Sequence, residues 1–345
     1  MNIFRIIGAE ERERFDAFVL EARGHPYQSF GWGEADRARG WHPVRAVLED
    51  RSRLIATVAA LCKPLSRWCM MDATLGPVAD FSSDETARRV IRAMKAFARR
   101  SGALYLRINP DVETRESLAR ILAEDGFRPA RTAWRYRATL RISLADPLES
   151  ILAGMEPETR RLIRRAERNG VQVSAGDDER DVDDLLALYR ETCRRKNLSG
   201  RSERHIRALC AQGGLTRLFV ARSNGAPCSA LLVSASAGRM VHVISCCRRP
   251  SPREVGRYLR WCAMRWGKEH GFVEYDMGGI PWNARPGDDQ WGVYVFKRGF
   301  GGRRVELIGE YERCMFPVVT PLFARLLDGR SRLKRRLAPA GAEDG

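Results

Sequence analysis

Apolar positions recur along this chain at two spacings, and the switches between them mark helices and strands. From Asp84 to Arg100 they fall at Val90, Ile91, Met94 and Phe97, the three-and-four spacing of one helix face. Ala103-Leu-Tyr105-Leu-Arg107-Ile108 then alternates with period two and stops at Asn109-Pro110, as a strand does. Before them, residues 9–23 predict a helix around Phe15, Phe18, Val19 and Leu20. The loop Pro26–Trp32 leads into a short helix through Ala38. Val44–Leu48 and Leu54–Leu61 predict a hairpin about the charged turn between them, and Met70–Asp72 with Leu75–Val78 a strand ending in a Gly-Pro break. A helix through Leu122 ends at Gly126-Phe127, and Tyr136–Ile142 returns as a strand.

The second half repeats this order. Val182–Cys193 and Ser202–Cys210 predict helices, and Thr216–Ala221 with Ala226–Ser236 a hairpin about Asn224-Gly225. Met240–Cys246 follows as a strand, Glu254–His270 as a long helix, and Val273–Asp276 as a strand broken by Gly278-Gly279. Two copies of one α/β unit explain this better than one large sheet. The expected division is 1–150, 151–320, and a basic terminal helix (Arg330–Arg336) with a small-residue tail over 321–345.

One stretch combines chemistry with pattern. In Gly292–Gly302, Tyr294 and Phe296 alternate with Val293 and Val295, the period of a half-buried strand, and Lys297 then meets a Gly-rich turn. A lysine fixed between a strand and a flexible loop, beside two aromatics, suits stabilisation of a developing negative charge. The plainer reading is a strand capped at its solvent edge by Lys297 and Arg298. A second basic feature is Arg160, Arg161, Arg164, Arg165 and Arg168, which fall on one face of a helix opposite Leu162, Ile163 and Ala166, relieved within the segment only by Glu167. Such a stripe either is a solvated surface or meets phosphates.

Composition narrows the class. The 345 residues suffice for two domains with cores, and 44% hydrophobic residues belong to a folded chain. Sixty Lys and Arg against 43 Asp and Glu leave a net charge of +17, which favours a polyanionic partner such as nucleic acid or an anionic membrane face. Nine cysteines show no paired framework, and five histidines show no ligand spacing, so no metal is expected. Without a signal-like start or a bilayer-length apolar run, the expected setting is the cytoplasm, with reduced thiols.

Several segments together resemble the FemXAB family of aminoacyl-tRNA-dependent peptidyl transferases. They are Tyr27-Gln28-Ser29 with Trp32, Gly76-Pro77-Val78, the arginine-rich run Arg160–Val171, Leu188–Arg195, Tyr275-Asp276-Met-Gly278-Gly279, and Phe296-Lys297-Arg298-Gly299-Phe300-Gly301-Gly302. They occur in the family's order over Gln28–Glu312, without the long helical arm of some members. The resemblance implies tandem GNAT-like domains of mixed α/β (α+β) class. It also implies an aminoacyltransferase that moves an amino acid from charged tRNA to an amine, in many members a UDP- or lipid-linked muropeptide. The first unit would bind the acceptor, and the second the aminoacyl-tRNA.

An aminoacyl ester is already activated, so no cofactor is called for. Lys297 is expected to supply the catalytic cation, Phe296 a stacking surface for the terminal adenine, and the nearby glycines a close approach to RNA. Arg160, Arg161, Arg164, Arg165, Arg168, Arg298, Arg303 and Arg304 are expected to track tRNA. Arg37, Asn109, Arg195 and Tyr294 are expected on the acceptor and substrate side. Arg37 stands in for a lysine that the family offers near Trp32, Arg195 is assigned to acceptor phosphates, and Asn109 replaces an acid, so no carboxylate base is assigned there. A monomer is expected, touching the inner membrane face if the acceptor is lipid-linked.

Two other classes compete. An acyl-CoA-dependent GNAT N-acyltransferase would need a small residue where Arg253-Glu-Val-Gly256-Arg-Tyr258 places Tyr258, and a non-catalytic RNA-binding module leaves Lys297 unexplained. Within the transferase reading, a natural-product amine or peptide is an alternative acceptor.

Overall fold

The two predicted units form two sheets, one from each half, that exchange strands at their seam. The computed structural model describes residues 3–130, 137–176, 178–281, 283–288 and 290–316. The expected helix Arg330–Arg336, the tail after residue 320 and Tyr136 lie outside the described residues.

The first sheet runs β1 (Arg5–Ile6), β2 (His42–Asp50), β3 (Arg53–Leu65), β4 (Trp68–Ala73), β6 (Ala103–Ile108), β15 (Tyr311–Cys314) and β7 (Arg128–Pro129), with β5 (Val78–Ala79) against β3. Its helices are α1 (Arg12–Glu21), α2 (Asp84–Arg100) and α3 (Glu116–Glu124). The second sheet runs β14 (Arg303–Glu306), β8 (Ala138–Ser143), β13 (Glu274–Ile280), β12 (Arg239–Cys247), β11 (Ala226–Ser236), β10 (Thr216–Ser223) and β9 (Gln172–Gly176). Around it lie α4 (Leu148–Ala153), α5 (Pro157–Arg168), α6 (Glu179–Lys196), α7 (Glu203–Cys210), α8 (Arg253–Glu269) and α9 (Trp291–Arg298). Each unit holds a hairpin, a third strand, a crossover helix and a parallel strand. That crossover is α2 between β4 and β6, and α8 between β12 and β13.

Local chemistry accounts for the elements. Ser83 caps α2 by accepting from the Thr86 amide, and Val90, Ile91, Met94 and Phe97 are buried against the first sheet, each contributing about 1.5–3 kcal/mol of transfer free energy. Asn224 and Gly225 both have positive φ, the two-residue turn that matches strand twist. Arg51 and Ser52 do the same, so β2 and β3 extend to Asp50 and Arg53, beyond the expected hairpin.

Three expectations are corrected. The division at residue 150 does not follow the sheets: β8 pairs with β13 and β14, while β15 crosses back to β6 and β7. Each sheet is thus completed by a strand that chain order assigns to the other unit. Gly278-Gly279 does not end its strand, because β13 absorbs the pair as a register shift between Asp276 and Gly279. Finally, Val293–Phe296 is helical, within α9, not a strand. An apolar run of four residues fits either period, and contacts at helical spacing decide here: Trp291 meets Tyr294 and Tyr294 meets Arg298. Among the described residues, no helix is long and apolar enough to cross a membrane.

Candidate active site

The helical form of residues 291–298 decides where the lysine goes. Neighbouring side chains on a helix diverge by about 100°, so Phe296 turns toward α8 while Lys297 turns toward β13. Lys297 Nζ donates to the carbonyl oxygens of Gly279 at 2.9 Å and Gly278 at 3.2 Å. Successive carbonyls of a regular strand point to opposite sides; the positive φ of Gly278 (70°) breaks that alternation, and both reach one ammonium. These carbonyls sit where β13 has left β12, since that pairing ends at Val241 and Asp276. Burial lowers the Lys297 pKa from 10.5 to about 8; the Asp276 carboxylate opposes the shift and the Arg260 guanidinium adds to it.

Gly278 and Gly279 line a cavity of about 190 Å³ between the two units. The first unit contributes Tyr27, Asn109 and Asp111, and the second His242 and Asp276. Asp276 accepts from Thr139 Oγ1, from the Gly278 amide at 2.7 Å and from Arg141 Nε at 3.2 Å, so one side chain fixes the bulge that presents both carbonyls. His242 Nε2 lies 2.6 Å from the Tyr275 hydroxyl, and burial with the nearby cations Arg260 and Lys297 holds its pKa well below the ordinary range.

The floor of the cavity is locked by charge across the units. Asp111, in the loop after β6, accepts from Arg141 Nη2 at 2.5 Å and from Arg239, both on the second sheet. Arg239 Nε also meets Glu274 at 2.6 Å. The three carboxylates Asp111, Glu274 and Asp276 thus face Arg141, Arg239 and the Lys297 ammonium. Burial raises the Asp111 pKa, and the two arginines outweigh it, leaving the group at about 2.

A second cavity of about 120 Å³ adjoins the first through Tyr27, which stacks on Trp32 at 4.0 Å. Arg39 and Arg201 line it, with Asp36, Trp41 and Asp72. The loop that carries Tyr27 is pinned by the buried Gln28 amide, which bonds Ala59 O, Thr74 O and the Ala59 amide.

The predicted site residues separate on this frame. Asn109 lines the first cavity, although its Oδ1 is already occupied by the Leu75 amide at 2.7 Å, and Lys297 adjoins the cavity through the carbonyls of Gly278 and Gly279, which line it. Phe296 does not offer a free stacking face: its ring carries the guanidinium groups of Arg260 (4.8 Å) and Arg257 (5.1 Å) and the edge of Phe300. Tyr294, Arg37 and Arg195 line neither cavity. Arg37 pairs with Glu34, and Arg195 donates to Cys247 O at 3.2 Å. In that segment it is Arg39, two positions on from Arg37, that lines the second cavity. The glycines after Lys297 pack against the protein itself: a Cβ on Gly301 would stand 2.4 Å from Gly154 O, and one on Gly302 2.6 Å from Arg141 O.

The arginine stripe lies on α5 as expected, with Leu162, Ile163 and Ala166 buried beneath it. Its charge is better compensated than the segment alone implies, because Glu158 takes Arg161 and Glu254 takes Arg165. Arg160 donates to Ala153 O, while Arg164 and Arg168 are exposed with no carboxylate partner among the described residues. Arg298 pairs with Glu156, Arg303 with Glu113, and Arg304 lies against Glu306. Sequence reasoning did not single out Tyr27, Asp111, His242 or Asp276 as site residues. Tyr27 and Asp276 sit inside quoted motifs, and that is the signal that was available.

Comparisons with known proteins agree with this layout. A family model described as the FemAB family matches residues 11–124, and one described as an acetyltransferase (GNAT) domain matches residues 156–298. The chain is 24% identical to the UDP-N-acetylmuramoylpentapeptide-lysine N(6)-alanyltransferase of Weissella viridescens, covering 92% of this chain and 98% of that one. It is 18% identical to the lipid II:glycine glycyltransferase of Staphylococcus haemolyticus, covering 94% and 97%. Its fold matches the crystal structure of FemX with a TM-score of 0.81 at 16% identity, over 92% of this chain and 99% of that one.

Proposed function

The chain belongs to the FemXAB family, and on that premise we propose that it transfers an amino acid from aminoacyl-tRNA to an amine of a peptidoglycan precursor. The observation that carries this reading is the Lys297 ammonium, held on the Gly278 and Gly279 carbonyls at the cavity between the units. The incoming amine attacks the ester carbonyl, a C–N bond forms, and negative charge develops on the carbonyl oxygen. The C–O bond to the ribose then breaks, and the proton shed by the amine passes to the leaving 3′-oxygen. Lys297 stabilises the charge that develops on either oxygen, a contribution of roughly 3 kcal/mol for one well-placed donor. Juxtaposition of the two substrates supplies much of the rest. Asp111 and Asp276 are both ion-paired, so neither is given the role of base.

The donor reading rests on the exposed Arg164 and Arg168 of α5 and on the net charge of +17. For the acceptor, the relatives named above act on UDP-linked and lipid-linked muropeptides, and Arg39 with Arg201 beside the second cavity suits an anionic portion of such a molecule. An acyl-CoA donor is disfavoured by Tyr258 and by the gap between β12 and β13, which Lys297 and Arg260 already occupy. The reaction belongs to the cytoplasm, where charged tRNA is made.

A panel of charged tRNAs and acetyl-CoA, each offered with UDP-linked and lipid-linked muropeptide, tests the reading. The expected result is transfer from one or a few charged tRNAs, abolished by RNase. Transfer from acetyl-CoA that survives RNase would overturn it.

A further inference from the structure

Beneath the site lies a cation that the reaction above does not use. Arg260, on α8, is 6% exposed and has no carboxylate within ion-pair distance among the described residues. Its Nη1 donates to Gly256 O at 2.7 Å, its Nη2 to Ser245 Oγ on β12, and its Nε has no hydrogen-bond partner. Its guanidinium carbon stands 4.8 Å from the centroid of the Phe296 ring. A buried arginine without a counter-ion costs stability. Packing alone is better served by methionine, so a functional return for that cost is indicated.

We propose that Arg260 is a positioning residue for the transfer: it seats Phe296, and with it the turn of α9 that carries Lys297, while setting a second positive charge against the Lys297 ammonium. This rests on the reading of Lys297 as the reacting cation. Two like charges in one low-dielectric region hold the lysine's proton loosely, and the contact of Arg260 with the Phe296 ring holds α9 against α8. The charged and titratable groups that act on Lys297 are Asp276 from β13, His242 from β12 and Arg260 from α8; Tyr275 bonds His242, Arg257 lies over Phe296, and Arg298 pairs with Glu156. Of these, Asp276 pulls the lysine toward the charged form and Arg260 pushes it away, and His242 is neutral. Burial is the largest influence on the lysine, and Asp276 and Arg260 act on it in opposite directions, so removing the Arg260 charge shifts the lysine toward the charged form.

The test is the pH dependence of single-turnover transfer in wild type, Arg260→Lys, Arg260→Gln and Arg260→Met, with folding checked by circular dichroism. In wild type the rate should fall as pH rises through about 8. Arg260→Lys keeps the charge and should keep that limb. Arg260→Gln, which stays polar but carries no charge, and Arg260→Met should move it at least half a pH unit upward, with a maximal rate about tenfold lower. A purely structural role for Arg260 would lower the rate and leave the limb in place. An unmoved limb in either folded neutral variant overturns the proposal, and so does a wild-type limb above pH 10 even if neither variant folds. If instead Lys297→Met transfers normally, the reading of Lys297 has failed, and that outcome is distinct from a stationary limb.

Discussion

Asp111→Asn probes the charge lock between the units with almost no change of shape. Its carboxylate is 5% exposed and accepts from Arg141 and Arg239. Its pKa falls from 3.8 to about 2. At about 1.4 kcal/mol per pH unit, ionised Asp111 contributes roughly 2.5 kcal/mol at neutral pH. A folded-state pKa below the unfolded value means stability present above pH 4–5 and lost as pH falls toward 2. The asparagine variant should therefore be about 2–3 kcal/mol less stable than wild type at pH 7, and the gap should narrow between pH 4 and pH 2. Urea unfolding followed by tryptophan fluorescence at pH 7, 5, 4 and 3 measures it. Breaking a buried pair outright costs more, so Asp111→Ala should lose about 3–5 kcal/mol. Equal stability of wild type and Asp111→Asn at pH 7, or a gap that does not change with pH, would refute the argument.

Two further outcomes follow from the same geometry. Replacing Arg164 and Arg168 together with Ala should weaken tRNA binding and reduce the slope of log K against log salt by about 1.5–2, read by filter binding between 50 and 200 mM salt; an unchanged slope would remove α5 from the RNA surface. Gly278→Ala places a Cβ 3.6 Å from the His242 Cβ, ordinary contact, so its cost comes from the positive φ, roughly 1–2 kcal/mol in urea unfolding. The same change should cut transfer at least tenfold as the carbonyl turns from Lys297, and full activity would show that the bulge is not needed.

The repeated architecture was legible because its signals are local and redundant. Asp84–Arg100 combines an N-cap, a clean helical period and a basic last turn, and α2 matches it end to end. The Asn224-Gly225 turn was equally plain. Strand exchange was not legible, because β8 and β15 look like ordinary strands and only their partners assign them to a sheet. The site divided in the same way. Lys297 stood out by its aromatic and glycine neighbours, while Phe296 was assigned to the wrong partner, since nothing local says that Arg257 and Arg260, more than thirty residues earlier, cover its ring. Asp111 and Asp276 were passed over because an acid after a proline reads as a turn and an acid at a strand's end reads as solvated, until the arginines that pair with them, far away in sequence, are seen.

The most direct test of the central claim is the single-turnover rate of transfer from charged tRNA by Lys297→Met, measured at saturating tRNA and acceptor with the fold and tRNA affinity verified. Loss of a preorganised cation at the reacting oxygens predicts a fall of about 10²–10³ with tRNA affinity unchanged within a few-fold. A rate within threefold of wild type would contradict the assignment of Lys297 and, with it, the chemistry placed at the cavity between the units.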